Sequence, residues 1–177
     1  MIKVGFDFDN TILNYDKVFA YLSKVEFGYE FEKFNKSQIR KKIINKKGEK
    51  EWMRLQGLAY GKFIFKAEIN QGVQNLIYRL LLNNYKVYIV SHKTKYGHFD
   101  KSKINLRLQA LKWLTFNGFI NNNQQAIRKK NIFFADSIID KINKINELKL
   151  NYFIDDLPLI LKNKNLNNNI IKIHFSN

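Results

Sequence analysis

The sequence predicts a three-layer α/β domain whose mainly parallel sheet has about five strands, with a small helical insertion after the first strand. Three observations predict this class. Short runs of β-branched and aromatic residues, typical of buried strands, recur along the chain with helical segments between them. Several of these runs end in Asp or Ser. A long stretch after the first run has helical periodicity alone.

The first predicted strand is formed by the apolar run of Ile2, Val4, Phe6 and Phe8; Asp7 closes this strand and Asp9 follows it. Ligands of open α/β sheets bind at the carboxyl ends of the strands, where these acids lie. Since side chains alternate along an extended backbone, we expect both carboxylates on the same side. Neighbouring carboxylates repel unless a cation or proton intervenes, which favours a hard divalent metal. The alternative is that they are turn or helix-capping residues.

Residues 15–68 are predicted to be helical, because apolar residues recur there at helical spacing and Gly28, Gly48 and Gly57 interrupt the pattern. This is more helix than a simple crossover between two parallel strands needs. We therefore divide the chain into a core of residues 1–14 and 69–177 and a helical insertion of residues 15–68. The alternative is a helical appendage that packs on the sheet and has no part in function.

The rest of the chain alternates between helices and strands. Apolar patterns predict further strands over residues 86–91, 131–135, 150–155 and 170–175. They predict helices over residues 72–81, about 102–116, from 138 onward, and 158–161. Ser91 and Asp155 end two of these strands, and Ser137 is a candidate helix N-cap. The sheet edge that holds Asp7 should therefore also hold a hydroxyl and further carboxylates.

These residues resemble the motifs of the haloacid dehalogenase superfamily, most of whose members are magnesium-dependent phosphohydrolases. Four segments carry the resemblance, in the order of the superfamily's motifs: Asp7-Phe8-Asp9-Asn10-Thr11, Ser91, Lys141, and Asp155-Asp156-Leu157-Pro158. Asn10 departs from the commoner Gly, which is a mild change because Asn tolerates unusual backbone angles. The resemblance implies a Rossmann-like core, with residues 15–68 as a helical cap over the active site.

The resemblance also implies catalytic roles. Asp7 would be the nucleophile that forms an aspartyl phosphate, and Asp9 the acid that protonates the leaving oxygen and then activates water. Lys141 would offset the negative charge, although Lys144, one turn further on, is an alternative.

The same resemblance implies the phosphate and metal ligands. Phosphate would bind the Ser91 hydroxyl, the following residue His92 through its backbone N–H, and Lys141. From the sequence alone, His92 and His98 suit loop or specificity roles better than a catalytic relay or a transition-metal site. The implied metal is Mg²⁺, held by the carboxylate of Asp7, the backbone carbonyl of Asp9, and Asp155, with Asp156 contributing directly or through water.

Composition excludes several classes of protein. The chain has no Cys, so it has no disulfide framework and no thiolate nucleophile. Its 45% hydrophobic content and fifteen Phe exclude a disordered chain. No run of 18 apolar residues and no signal-peptide pattern occurs, so we expect a cytoplasmic protein without a membrane partner.

The net charge of +16 favours anionic partners in general. We attribute it mainly to a composition rich in Lys, Asn and Ile, and expect a small phosphorylated metabolite as substrate. One alternative is a polynucleotide end phosphatase, although no stripe of aromatic residues interleaved with basic ones marks a strand-binding groove. A second is a non-catalytic binding protein of the same superfamily, which the intact set of acids argues against. The oligomeric state is left open.

Overall fold

The computed structural model of the chain describes residues 1–99, 101–121 and 125–176. The strands follow the chain in this order: β1 (Lys3–Phe6), β2 (Leu13–Asn14), β3 (Glu68–Ile69), β4 (Lys86–His92), β5 (Ile132–Ala135), β6 (Tyr152–Asp155) and β7 (Ile171–His174). The helices are α1 (Asp16–Phe27), α2 (Lys36–Lys47), α3 (Glu49–Tyr60), α4 (Val73–Leu82), α5 (Leu106–Phe116), α6 (Ile138–Glu147) and α7 (Pro158–Leu161). Over the described ranges, none of these helices has the length and hydropathy to cross a bilayer.

Five strands form one parallel sheet in the order β5-β4-β1-β6-β7. The predicted α/β class, with a parallel sheet of five strands, is therefore confirmed. The first strand of the chain lies at the centre of the sheet, between β4 and β6. The short strands β2 and β3 pair separately and were not predicted, because two residues are too few for an alternating pattern.

Gly5 of β1 is closely packed against the side chains of Leu150 and Phe153. A Cβ on Gly5 would lie 2.4 Å from Leu150 Cδ1 and 2.8 Å from Phe153 Cδ2, so any larger residue there would force these side chains to move. Leu150 and Phe153 belong to a core cluster on this side of the sheet, with Val90, Ile142 and others. The apolar side of α6 is held against β4 and β5, which fixes the direction of the polar side chains of α6.

The chain divides into two compact units. The core unit holds residues 1–13, 69–94 and the chain from Leu114 onward, and includes the whole parallel sheet. The helical unit holds residues 14–68 and 95–113. Residues 95–113 thus join the helical unit in addition to the segment singled out from the sequence. The function of the helical unit as a cap stays a prediction.

Within the helical unit, aromatic packing and caps account for the helices. Phe19 of α1 stacks on Trp52 of α3 with ring centroids 4.6 Å apart. Gly28, in the left-handed region at φ 70°, ends α1. Asn35 and Gln38 form a capping box at the start of α2. The predicted helical character of this segment agrees with these elements.

Candidate functional site

Three neighbouring strands bring polar residues to one edge of the sheet. Phe6 pairs with Ile154 on one side and with Ile89 on the other. The Asp7 backbone N–H donates to the Ile154 carbonyl at 2.8 Å, so the parallel pairing continues up to this acid. Asp155 directly follows Ile154, and Ser91 lies two residues after Ile89, so both lie at the same edge as Asp7.

Lys141 lies between two of the acids. Ser137 caps α6 and accepts a bond from the Asp140 backbone N–H, which starts the helix one turn before Lys141. The Lys141 side chain is buried, and its Nζ donates to Asp7 Oδ1 and to Asp155 Oδ2, both at 2.6 Å. Lys144 instead pairs with Glu147 in a partly exposed contact. Of the two lysines left open by the sequence, Lys141 is the one that reaches the acids.

Burial governs the protonation of this arrangement. Removal from water raises the pKa of Asp7 to about 7; the Lys141 ammonium opposes the rise and the Asp155 charge adds to it. Burial alone would lower the pKa of Lys141, but the charges of Asp7 and Asp155 outweigh it and raise that pKa. Lys141 therefore keeps its proton at neutral pH, while Asp7 ionises fully there only if further positive charge is supplied.

Asp7, Asp155 and Asp156 form an oxygen-ligand cluster. One carboxylate oxygen of each lies within 4.8 Å of the others. Asn10 Nδ2 donates to Asp156 Oδ2 at 3.2 Å, and the Leu157 backbone N–H donates to Asp155 Oδ1 at 2.8 Å. Three carboxylates held in place, with no nitrogen or sulfur ligand among them, fit a hard divalent cation such as Mg²⁺.

The loop after β1 owes its shape to two asparagines. Asn10 has a φ of 66°, in the left-handed region that Asn tolerates better than most residues. The Ile12 backbone N–H donates to the Phe8 carbonyl at 3.0 Å, which closes the turn. Asn70 Nδ2 donates to the carbonyls of Asn10 and Thr11, at 2.8 and 3.0 Å, and so ties the loop to the chain after β3. The sequence carried no signal for this role of Asn70.

Asp9 has a different environment from the other acids. It does not belong to the three-carboxylate cluster, and both of its side-chain oxygens accept bonds from Lys93 Nζ, at 2.9 and 2.7 Å. Lys93 is only 3% exposed. Lys93 was not among the site residues predicted from the sequence, although it lies two residues after Ser91. Residues two apart on an extended chain share a side, and Ser91 was already a candidate.

Ser91 and His92 end β4 in different environments. Ser91 Oγ is buried, and among the described residues it has no hydrogen-bond partner. A buried hydroxyl in this state is uncommon, and an anion oxygen would satisfy it. The His92 side chain is exposed, and its ring nitrogen lies 3.2 Å from the Asp136 carbonyl. His98 is also exposed. The expected role of His92 through its backbone N–H stays a prediction.

Comparison with known proteins gives a likeness of fold. No family model matches the chain, and no curated protein matches it significantly. A HAD-superfamily hydrolase of subfamily IA, variant 1, from Geobacter sulfurreducens matches with a TM-score of 0.53 and 9% identity, over 90% of this chain and 80% of that one. A HAD hydrolase of family IA, variant 3, from Entamoeba histolytica matches with a TM-score of 0.50 and 14% identity, over 89% and 77% of the two chains.

Proposed function

We propose, from the haloacid dehalogenase fold that this chain has, that it is a magnesium-dependent phosphohydrolase that acts on a small phosphomonoester through an aspartyl phosphate. The observation that carries the proposal is the buried arrangement around Asp7. A carboxylate at the end of the central strand lies 2.6 Å from the Lys141 ammonium, and the same sheet edge holds the Ser91 hydroxyl. A nucleophile, a positive charge and an anion-binding donor are what phosphoryl transfer to a side chain requires.

In the first step, Asp7 attacks phosphorus. Lys141 donates to Oδ1, so we assign the attack to Oδ2. The new bond joins Oδ2 to phosphorus while the bond from phosphorus to the leaving oxygen breaks. Asp9, in its protonated form, gives its proton to that oxygen, so the product leaves as an alcohol. Lys141 offsets the charge on Asp7 and on the transferring group.

In the second step, Asp9 acts as a base. Its carboxylate takes a proton from water as the water oxygen bonds to phosphorus. The bond between phosphorus and Asp7 Oδ2 breaks, which releases inorganic phosphate and restores the Asp7 carboxylate. Asp9 is again protonated and ready for the next ester. The two steps together consume one water and one phosphomonoester.

The cation and the phosphoryl oxygens have separate ligands in this proposal. Asp7, Asp155 and Asp156 would hold Mg²⁺, together with the backbone carbonyl of Asp9 that the superfamily resemblance implies. When bound, Mg²⁺ supplies positive charge that neutralises the growing negative charge of the reacting groups. The Ser91 hydroxyl and the backbone N–H of the next residue would donate to phosphoryl oxygens.

A panel of small phosphomonoesters, assayed with purified protein and Mg²⁺, tests the proposal. We expect release of phosphate from at least one of them, loss of activity in chelator, and recovery on return of Mg²⁺. Asp7→Asn keeps the shape of the side chain but loses its attacking charge, so we expect kcat to fall by at least about a thousandfold. Lys144→Met is the matched control. Wild-type rates in the Asp7→Asn variant would exclude the mechanism.

A further inference from the structure

The contact between Lys93 and Asp9 is built into the sheet. The Lys93 backbone N–H donates to the Ala135 carbonyl at 3.0 Å, which extends the pairing of β4 with β5. Its side chain is buried, and Nζ lies 5.4 Å from the centroid of the Phe8 ring. From there Nζ reaches both oxygens of Asp9, at 2.9 and 2.7 Å. The ammonium is therefore fixed by packing and backbone pairing, and it fixes the carboxylate in turn.

Asp9 is a natural competitor for the cation. It lies two residues from Asp7 on the same loop, yet only Asp7, Asp155 and Asp156 bring their carboxylates together. Mg²⁺ takes about six oxygen ligands, so three carboxylates leave positions that a fourth could fill. A carboxylate that binds the metal cannot also exchange protons with the substrate and water. The Asp9 side chain must therefore be held away from the cation by another group.

The charges of these groups are consistent with a metal-binding role for three of the acids and a separate role for Asp9. In their ionised forms, the four acids Asp7, Asp9, Asp155 and Asp156 face the two buried ammonium groups of Lys93 and Lys141. The group then has a net charge of −2, which one divalent cation balances. With Lys93 removed, the same group would have a charge of −3, and Asp9 would be released to approach the cation.

We propose that Lys93 is a positioning residue that holds the Asp9 carboxylate away from the cation and keeps it for proton transfer. This inference rests on the proposed function. It assigns to Lys93 a role in choosing which acids bind the metal. Lys141 has no such role, because it contacts two acids of the metal-binding cluster itself.

A double-mutant cycle on Mg²⁺ binding tests the proposal. Chelator-treated wild type, Lys93→Met, Asp9→Asn and the double variant are titrated with Mg²⁺ by calorimetry. If only the charge of Lys93 mattered, its removal would strengthen Mg²⁺ binding equally with and without the Asp9→Asn substitution. If Lys93 restrains Asp9, we expect Lys93→Met to bind Mg²⁺ about tenfold more tightly than wild type, and the change to shrink below about twofold in the Asp9→Asn background. An equal change in both backgrounds, or none in either, overturns the proposal.

A second test compares kcat on two substrates whose leaving groups differ in their need for a proton. An alkyl phosphate needs a proton on its leaving oxygen more than p-nitrophenyl phosphate does. We expect Lys93→Met to lower kcat on the alkyl ester at least about tenfold more than on the nitrophenyl ester, with KM changed little, and Lys93→Arg to restore part of the difference. Equal losses on both esters overturn the positioning role. Lys144→Met, which also removes a lysine that lies over an aromatic ring, is the control.

Two controls distinguish the role of Lys93 from a loss of folding and from a failure of the proposed function. Circular dichroism and thermal melts establish whether Lys93→Met is folded, and Lys93→Gln replaces it in the cycle if it is not. Wild-type protein that binds Mg²⁺ but hydrolyses none of the phosphomonoesters overturns the proposed function, while the binding cycle still decides the role of Lys93. Wild-type protein that binds no Mg²⁺ overturns the role of Lys93.

Discussion

Asp7 combines two properties that oppose each other in a folded protein. It is buried, and the proposed chemistry needs it charged. The Lys141 ammonium is in direct contact with it, yet the cost of desolvation still holds the pKa of Asp7 well above its usual range. Without a cation, the folded chain therefore binds a proton at Asp7 more tightly than the unfolded chain does.

Because Asp7 has a higher pKa in the folded chain than in the unfolded chain, the free energy of unfolding depends on pH. The pKa of Asp7 is about 7 when folded and 3.8 in its ordinary state, so its contribution is fully present below pH 3.8 and is lost as pH rises through about 7. Asp7→Asn cannot ionise. In chelator, we expect the melting temperature of Asp7→Asn to rise relative to wild type between pH 4 and about 7, and to stay higher at pH 8. Thermal melts at constant ionic strength measure this change in melting temperature, and the exposed Glu32→Gln is the surface control.

A constant difference between the Asp7→Asn and wild-type melting temperatures across this range would contradict the raised pKa. Added Mg²⁺ provides a further check. Because it would bind the ionised acid, it should stabilise wild type more than the variant at pH 8.

Asn70 supports the loop that holds Asp9 and Asn10. Its buried side-chain amide donates to the carbonyls of Asn10 and Thr11, and Asn70→Ala would leave these acceptors without that donor. We expect a loss of about 1–3 kcal/mol in the free energy of unfolding. Urea unfolding measures this loss, and the exposed Asn75→Ala in α4 is the matched control. Equal stability of the two variants would show that Asn70 does not hold the loop.

The contacts that Lys93 and Asn70 make could not be predicted from the sequence for one physical reason. The Lys93–Asp9 contact joins residues 84 apart in the chain, and Asn70 reaches Asn10 from 60 residues away. Local patterns contain no information about such pairs. The expectation that Asp9 lies on the same side as Asp7 stays a prediction. Asp7, Ser91 and Asp155 were predictable because each ends a strand with a strong local pattern.

At the scale of elements, α6 matters because it carries Lys141. The Ser137 side chain accepts from the Asp140 backbone N–H at 3.0 Å, and its hydroxyl donates to Asp140 Oδ2 at 2.7 Å. We expect Ser137→Ala to lower the free energy of unfolding by about 1 kcal/mol, and Ser137→Asn to restore most of it, because Asn also caps helices well. Chemical denaturation provides the measurement. Ser37→Ala, on the surface of α2, is the control, and an equal loss in both alanine variants would exclude the cap as the cause.

The elements themselves were largely predictable. The five strands of the sheet and α4 to α7 lie close to their expected positions, because each has its own apolar periodicity and its own start or stop residues. Pro158 is in the first turn of α7 as expected. The assignment of residues 95–113 to the helical unit was not foreseen, since the unit a segment joins depends on tertiary packing rather than on local pattern.

At the scale of the whole molecule, the positive charge is unevenly distributed. Residues 14–68 and 95–113 contain 18 basic and 8 acidic residues, a net charge of +10 out of the total of +16. Long-range attraction of anions would therefore be strongest near the helical unit. Helix α2 contributes much of this charge, with basic residues at Lys36, Arg40, Lys41, Lys42, Lys46 and Lys47 and no acid.

This charge leads to a prediction about substrate class. We expect small phosphomonoesters to be hydrolysed faster than end-phosphorylated oligonucleotides at physiological salt. Oligonucleotides should still bind, and their binding should weaken steeply as salt increases, because nonspecific association releases counterions. Competing turnover assays across a salt series measure both effects. The control replaces Arg40, Lys41 and Lys42 with Gln. Preferred turnover of oligonucleotides, weakened by these substitutions, would favour a polynucleotide end phosphatase instead.

The position of β1 at the centre of the sheet also determines when the site can form during synthesis. β1 is translated before both of its neighbours, β4 and β6. Asp155, which shares the Lys141 ammonium with Asp7, ends β6. Lys141, which bridges Asp7 and Asp155, is likewise translated 134 residues after Asp7. β1 therefore cannot complete its pairing in the sheet until both β4 and β6 have been synthesised. Its four acids and two lysines can assemble only after β6 has left the exit tunnel.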